Sequence, residues 1–536
     1  MKVFKQKRCF VFTLAGSLVL FLGSGFADTV EPNAESVANF QYIANEAKTP
    51  ANRCNSGKPA DIGCAGKSIK QNPKEPATQE HQYRPRQTLG AVASLRKDEL
   101  TGMAHWDDAQ DWSLQKMLRL PSWISLTLEE RVRYENYNTP WIKGDMTGQY
   151  QVPIQSVLWA EARFTETFRA GVEFWDARQY GPSNPDRLSS AMSNAGNFAQ
   201  IYAAWIGRDI FQSGLDSEIK GGRMTMDVAS RRLIARFRFG NTVYQFAGLQ
   251  ARLHDDKNGW ELLAFANVPE QLLPTGAGQL LHNDLVWNRP QTDAYFTGAL
   301  LTKKFPAQIS AELYLYYLHE GRNDTYSSLN RSLYTPGFRV KRHPGKGEVD
   351  FEIESIGQAG SARISATAPV LDIGSVYQHV ESGYTFDMPW SPRLVAQWDY
   401  ASSHFDPLFG TPIFDYGPTG ILTLFNRTNI NTPGYRLFLT PHRDFSLVAA
   451  NRYWWLADNK SSTGWSQANL VDTTGSSGSY VGQTWELNGR WDAFDNLAFQ
   501  VGWQILMKGG FAKEAPGAPA NQNHVNYYFV QTELRF

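Results

Sequence analysis

From Pro121 to the end of the chain, apolar and polar side chains alternate in short runs, and no long helical period interrupts them. In 124–135, Ile124, Leu126, Leu128, Val132 and Tyr134 fall on one side. Thr127, Glu129, Arg131, Arg133 and Glu135 fall on the other, because successive strand side chains point to opposite faces. In 158–164 Leu158, Ala160, Ala162 and Phe164 oppose Glu161 and Arg163. Leu394, Ala396, Trp398 and Tyr400 oppose Arg393, Gln397 and Asp399, and Leu497, Phe499, Val501, Trp503 and Ile505 oppose Gln500, Gly502 and Gln504. Around 348–354, Glu348, Asp350, Glu352 and Glu354 share a face as an acidic stripe. Gly, Pro, Asn and Asp clusters separate the runs, so the pattern predicts many strands joined by turns.

An apolar strand face must be covered. A soluble sandwich covers it with a second sheet, whereas a membrane barrel covers it with lipid and turns its polar face to a lumen. Three features favour the barrel. The first is an export signal: Lys2, Lys5, Lys7 and Arg8 precede an apolar run over 9–23, and Gly25 and Ala27 fit a cleavage site before Asp28. That run is too short to span a bilayer. The second is aromatic clustering near strand ends, in Tyr453-Trp454-Trp455 and Tyr527-Tyr528-Phe529, where interfacial girdles belong. The third is the ending, an alternating strand in which Tyr528, Val530, Leu534 and Phe536 oppose Gln531, Glu533 and Arg535. The expected fold is all-β, a transmembrane antiparallel β-barrel in the outer membrane of a Gram-negative bacterium, with lipid around it.

If the last strand ends at the periplasm, 492–496 and 441–444 are short periplasmic turns, and 508–523, 457–482 and 403–434 are long extracellular loops. At about 23 residues per strand and connection, residues 121–536 give roughly 18 strands, with 16 as the alternative. The predicted organisation is a signal peptide over 1–27, a flexible periplasmic extension over 28–120 and the barrel over 121–536.

The extension is poor in aromatics (Phe40, Tyr42, Tyr83, Trp106 and Trp112) and rich in Asn, Pro, Lys and Gln, as in 67–80. It offers a surface for a periplasmic partner, a short helical piece near 112–118, and Cys54 and Cys64, which are close enough for a disulfide loop in an oxidising compartment. Across the whole chain, 52 Lys+Arg balance 52 Asp+Glu. That leaves no basic field for nucleic acid.

The run Glu130-Arg131-Val132-Arg133-Tyr134-Glu135 resembles the opening strand of the alginate-export family of outer-membrane proteins. Gly222-Arg223-Met224 with the Arg-rich run 231–238, and the loop Phe405-Asp406-Pro407-Leu408-Phe409-Gly410-Thr411, are similar to that family too. The resemblance extends from about Leu118 to Phe536. It implies an 18-stranded monomeric barrel whose electropositive pore passes an anionic polysaccharide, alginate in the named member. One departure is plain: the alginate exporter folds a long periplasmic turn into its pore ahead of the last two strands, and the matching turn here, 492–496, is short.

A polyuronate carries one carboxylate per sugar, so a channel for it needs permanent cations along its path. Guanidinium qualifies because it is always charged and grips carboxylates bidentately. By strand parity Arg131, Arg133, Arg163, Arg223, Arg236 and Arg238 point inward, as do Arg436, Arg452 and Arg490. Glu129, Glu161, Asp399 and Glu486 are nearby acids that would hold them and keep substrate binding weak enough for release. The competing reading makes these arginines rungs of wall-stabilising Arg–Glu ladders. The group 223–238 leans towards function because only Asp227 is an acid close by in sequence. The 348–354 stripe is the counterweight, either making part of the wall anionic or pairing across the lumen. The loop 403–432, with Phe405, Phe409, Phe414, Tyr416 and Phe425, either stacks sugars at the mouth or packs its own apolar residues as a cap.

Catalytic signatures are missing: there is no Gly-x-Ser-x-Gly elbow, His-Glu-x-x-His or phosphate loop, and the histidines show no metal-ligand spacing. No enzyme, cofactor or metal site is expected. The leading expectation is passive passage of an alginate-like polyuronate or related organic anions through an arginine-lined pore. The alternatives are a general or nutrient-uptake porin without polymer specificity and, behind it, a barrel lipase or adhesin.

Overall fold

The computed structural model describes residues 113–536, apart from 138–139, 145–147, 186–187, 238, 322–327, 411–422, 495 and 520–522. The signal peptide and nearly all of the extension, with Cys54 and Cys64, lie outside the described residues. A one-turn helix, Leu114–Met117, is capped by the Ser113 hydroxyl, which accepts from Lys116 N at 3.2 Å.

Eighteen long strands follow in antiparallel neighbour order: β1 (Ile124–Tyr137), β2 (Gln149–Arg163), β3 (Phe168–Tyr180), β4 (Asn194–Gly207), β5 (Asp216–Met224), β6 (Phe246–Asp255), β7 (Trp260–Gln271), β8 (Ala294–Lys304), β9 (Ile309–Glu320), β10 (Ser332–Arg342), β11 (Val349–Ala362), β12 (Leu371–Thr385), β13 (Arg393–Ala401), β14 (Ile430–His442), β15 (Phe445–Trp455), β16 (Tyr480–Phe494), β17 (Leu497–Lys508) and β18 (His524–Arg535). β18 pairs back on β1 from Glu129↔Arg535 to Tyr137↔Tyr527, which closes the barrel and leaves no edge. A two-residue strand, Arg289–Pro290, lies against the end of β7 and is not part of the ring. The strand count is therefore the larger of the two expected values.

The alternation decides which residue faces where. Arg131, Arg133 and Glu135 of β1 are buried inside, while Leu313 and Leu315 of β9, Val380 of β12 and Val501 of β17 stand exposed on the outer face. At one rim the connections are short, as at 443–444 and 495–496; at the other they are long, as at 402–429 and 456–479. That asymmetry is the one expected of periplasmic turns and extracellular loops. It makes the turn between β16 and β17 as short as the sequence implies.

The wall has one irregular sector. β4 pairs with β5 only from Ile201↔Arg223 to Gly207↔Ser217, so its extracellular end has no β5 partner. The 283–288 segment closes that place. The Asn283 amide brackets the Gln179 backbone, accepting from its N–H at 2.8 Å and donating to its carbonyl at 2.9 Å, and Asn288 N donates to Asn197 Oδ1 at 2.7 Å.

Strand parity points Arg236 and Arg238 inward. The structure corrects that use of parity: β5 ends at Met224 and β6 begins at Phe246, and the residues between them form a long loop. Its apolar residues are not spaced for a half-buried wall, because most of them are buried inside the barrel. Met226, Val228, Leu233 and Ile234 join a core that includes Phe246, Phe296, Tyr316 and Phe409.

Candidate functional site

The 225–245 loop crosses the lumen. Its tip is a tight turn closed by an antiparallel bridge, Val228↔Ile234, with Ala229 and Arg231 at positive φ. Asp227 organises the turn by accepting from Arg236 N at 2.6 Å and Arg231 Nε at 3.0 Å. Two arginines four positions apart then reach opposite walls. Arg236 Nη2 meets Glu173 of β3 at 2.8 Å, its Nη1 donates to Thr225 at 2.8 Å, and its guanidinium lies 5.0 Å from the Trp175 ring centre. Arg232 Nη1 meets Glu354 of β11 at 2.5 Å and also grips Glu352. β3 and β11 lie eight strands apart in the ring of eighteen, which is close to diametrically opposite. The loop is thus a crossbar, tied at both ends by guanidinium–carboxylate pairs.

Its return limb is held by β1–β3. Arg131 donates to Gly240 O (2.8 Å) and Asn241 Oδ1 (3.2 Å), and Arg133 donates to Phe239 O (2.7 Å) with its guanidinium 4.0 Å above the Phe239 ring. Gln155 and Trp175 both donate to Asn241 O, at 2.9 and 3.0 Å. Buried backbone carbonyls that a sheet would normally satisfy are here satisfied by wall side chains.

The 402–429 loop backs the crossbar. Phe409 N donates to Leu233 O at 2.9 Å, and Ala235 N donates to Phe409 O at 3.0 Å. A Cβ at Gly410 would sit 1.8 Å from Arg232 O, so the two backbones approach where only glycine fits. The Phe409 ring meets Phe246 and Phe296 at 5.1 Å each, and Phe425 stacks on Trp454 at 3.8 Å. The described aromatics of this loop, Phe405, Phe409 and Phe425, are buried against wall residues, Phe405 on Tyr377, whereas Phe414 and Tyr416 lie outside the described residues.

Along β9–β15 the lumen wall carries a connected ladder. Arg339 joins Glu312 (3.1 Å) to Glu352 (2.8 Å), and Arg393 joins Asp350 to Glu381 (2.8 Å). Arg436 also grips Glu381, and Arg452 meets Asp399 at 2.7 Å. Of the two alternatives weighed for the acidic stripe, an anionic wall or pairing across the lumen, the contacts of Arg232 with Glu352 and Glu354 correspond to the second, and Arg339 and Arg393 add pairs with nearby strands.

The alginate-export family model matches residues 122–526, nearly the whole barrel. The chain belongs to the alginate-export family. It is an outer-membrane channel of a Gram-negative bacterium. Among solved structures this family member is similar in fold to the Pseudomonas aeruginosa barrels OccK8 (OprE) and opdK. Each is 11% identical at a TM-score of 0.50, with 77% of this chain and 98% of that chain covered. A search of curated protein sequences returned no match.

In this alginate-export barrel the expected pore arginines fall in four places among the described residues. Arg131, Arg133 and Arg236 hold the crossbar. Arg436, Arg452 and Arg490 are wall rungs, the last between Asp492 (3.1 Å) and Glu533 (3.0 Å). Arg223 meets Glu270 at 3.0 Å near the irregular sector, and Arg163 sits at the rim beside Glu161 (3.2 Å), its side chain 47% exposed. Arg238 lies outside the described residues. Sequence reasoning did not single out Arg232, Arg339 and Arg393. Arg393 and Arg339 lie on the polar faces of alternating strands and were within reach of parity, whereas Arg232 lies in a loop where parity gives no signal.

Proposed function

We propose that this channel passes an anionic polysaccharide of the alginate type, or related organic anions, passively, and that the lumen guanidiniums set its anion preference. The observation that carries this reading is the crossbar: two arginines held in mid-lumen, each on a carboxylate that a substrate carboxylate can replace like for like. Exchange of one carboxylate for another around a fixed guanidinium keeps the guanidinium paired at every step. It also keeps each site weak enough for the polymer to move on.

A second reading, uptake of small organic anions without polymer specificity, draws support from the extracellular loops packed into the mouth. Single-channel recording of the full-length protein in a planar bilayer under a salt gradient separates the two. An anion-selective reversal potential with current block by added polyuronate supports polymer passage. Anion selectivity without block leaves the small-anion channel, and conductance without anion preference overturns the guanidinium mechanism.

A further inference from the structure

The ladder contains one group whose charge is not fixed. His379, on β12, is fully enclosed on the lumen side, with Nδ1 2.7 Å from Asp399 Oδ1 on β13. Its Nε2 points between Glu352 of β11 and Glu381 of β12, 3.9 Å from each, and hydrogen-bonds neither. Around it also stand Tyr377, which donates to Asp399, and the guanidiniums of Arg436 on β14, Arg452 on β15 and Arg232 on the crossbar. Arg427 of the 402–429 loop is buried and acts electrostatically on Tyr377.

Either neutral tautomer turns a ring lone pair towards a carboxylate: towards Asp399 if Nε2 holds the proton, towards Glu352 and Glu381 if Nδ1 does. Only the imidazolium presents a donor in both directions. Its proton also bears on the crossbar, because Glu352 is shared between His379 and Arg232.

We infer that His379 is a proton-sensitive element of the β9–β15 wall: its protonation adds a cation beside the crossbar and draws Glu352 away from Arg232, so that anion preference rises as pH falls. The inference rests on the anion-channel reading above, but it concerns how the lumen charge responds to protons and does not require the substrate to be a polymer.

The experiment is the reversal potential of the full-length channel under a fixed salt gradient between about pH 5 and 9, the range in which histidine titrates. The wild type is expected to gain anion preference on acidification through a single midpoint. His379→Gln is expected to lose that response and stay at the alkaline value, and His379→Lys to stay near the acidic value. Wild-type slopes in both variants overturn the inference, even where polyuronate block still supports the channel reading. Loss of polymer block with the pH response intact overturns only the substrate. Should the variants fail to assemble, the imidazole resonance of His379 in labelled wild-type protein decides. A midpoint coincident with that of the selectivity supports the inference, and a resonance that does not titrate in that range overturns it.

Discussion

The wall and the crossbar obey different rules. Along β1, β9 or β17 each side chain's position follows from its parity, because lipid accepts one face and the lumen the other, and a slip of one residue would invert both. The 225–245 loop has no such constraint. It carries apolar residues and arginines side by side, and burial of both is possible only because partners from distant strands converge on it. The wall is specified locally and the crossbar is specified by the assembled barrel. The crossbar is therefore the part that can let go without unfolding the wall.

The sharpest way to break this contrast is to cut the crossbar's ends. Arg236→Ser leaves the Glu173 carboxylate enclosed and without its 2.8 Å guanidinium partner, and Arg232→Ser does the same to Glu354. A fully stranded buried charge costs about 3–5 kcal/mol; here Gln200 still donates to Glu173, and Ser230 and Tyr314 to Glu354, so the loss is smaller. That cost falls on docking of the loop. Hydrogen exchange over 225–245 is expected to speed up strongly, conductance to rise and anion preference to fall, while the strand amides keep their protection. Unchanged exchange in the loop would mean that its apolar seam with Phe409, and not its arginines, fixes it in place.

The complementary change strikes the wall. Leu315 is 52% exposed on the lipid-facing side of β9, between Tyr314 and Tyr316, which face inward. Leu315→Arg puts a guanidinium into hydrocarbon and is expected to cost about 2–4 kcal/mol at mid-bilayer depth. Urea titration of the barrel refolded in vesicles would read the loss as a lower midpoint. The channel properties of the fraction that does assemble should be unaltered, since the crossbar is not touched. A change in selectivity here would dissolve the distinction between the two regions.

These effects also show why the strands were legible and the site was not. Parity alone places Arg131, Arg133 and Glu135 inside, and the terminal strand with Phe536 gives the direction of the whole ring. The crossbar depends on contacts that no window of sequence contains. Glu173 lies 63 positions before Arg236, and Glu352 lies 120 positions after Arg232. Counting acids close by in sequence finds only Asp227 and makes the arginines look free. In the folded barrel their partners arrive from β3 and β11. The same local view read Arg236 and Arg238 by strand parity, since nothing in an Arg-Phe alternation tells a wall segment from a loop whose turn is held by one aspartate.

The smallest expected effect belongs to a third kind of region, the turn at 472–477 in the extracellular loop 456–479, which is held by one of its own side chains. Asp472 organises it by accepting from Thr474 N (3.0 Å), the Thr474 hydroxyl (2.5 Å) and Ser477 N (2.8 Å). The Thr474 hydroxyl, followed by the Ser477 amide and hydroxyl, stabilises the carboxylate and holds it well below the usual range. A carboxyl group depressed in the folded state contributes stability that is fully present above its unfolded pKa and disappears as pH falls through the folded value. Exchange at the Thr474 and Ser477 amides should therefore stay slow as pH drops past about 4, where an ordinary Asp protonates, and accelerate only in stronger acid. Asp472→Asn keeps one acceptor oxygen but removes the charge, so it should make those amides exchange faster already at neutral pH, with no change in the crossbar or in conductance. If acidification instead frees the crossbar before this turn, the lumen pairs are weaker than the enclosed geometry of Arg232 and Arg236 implies.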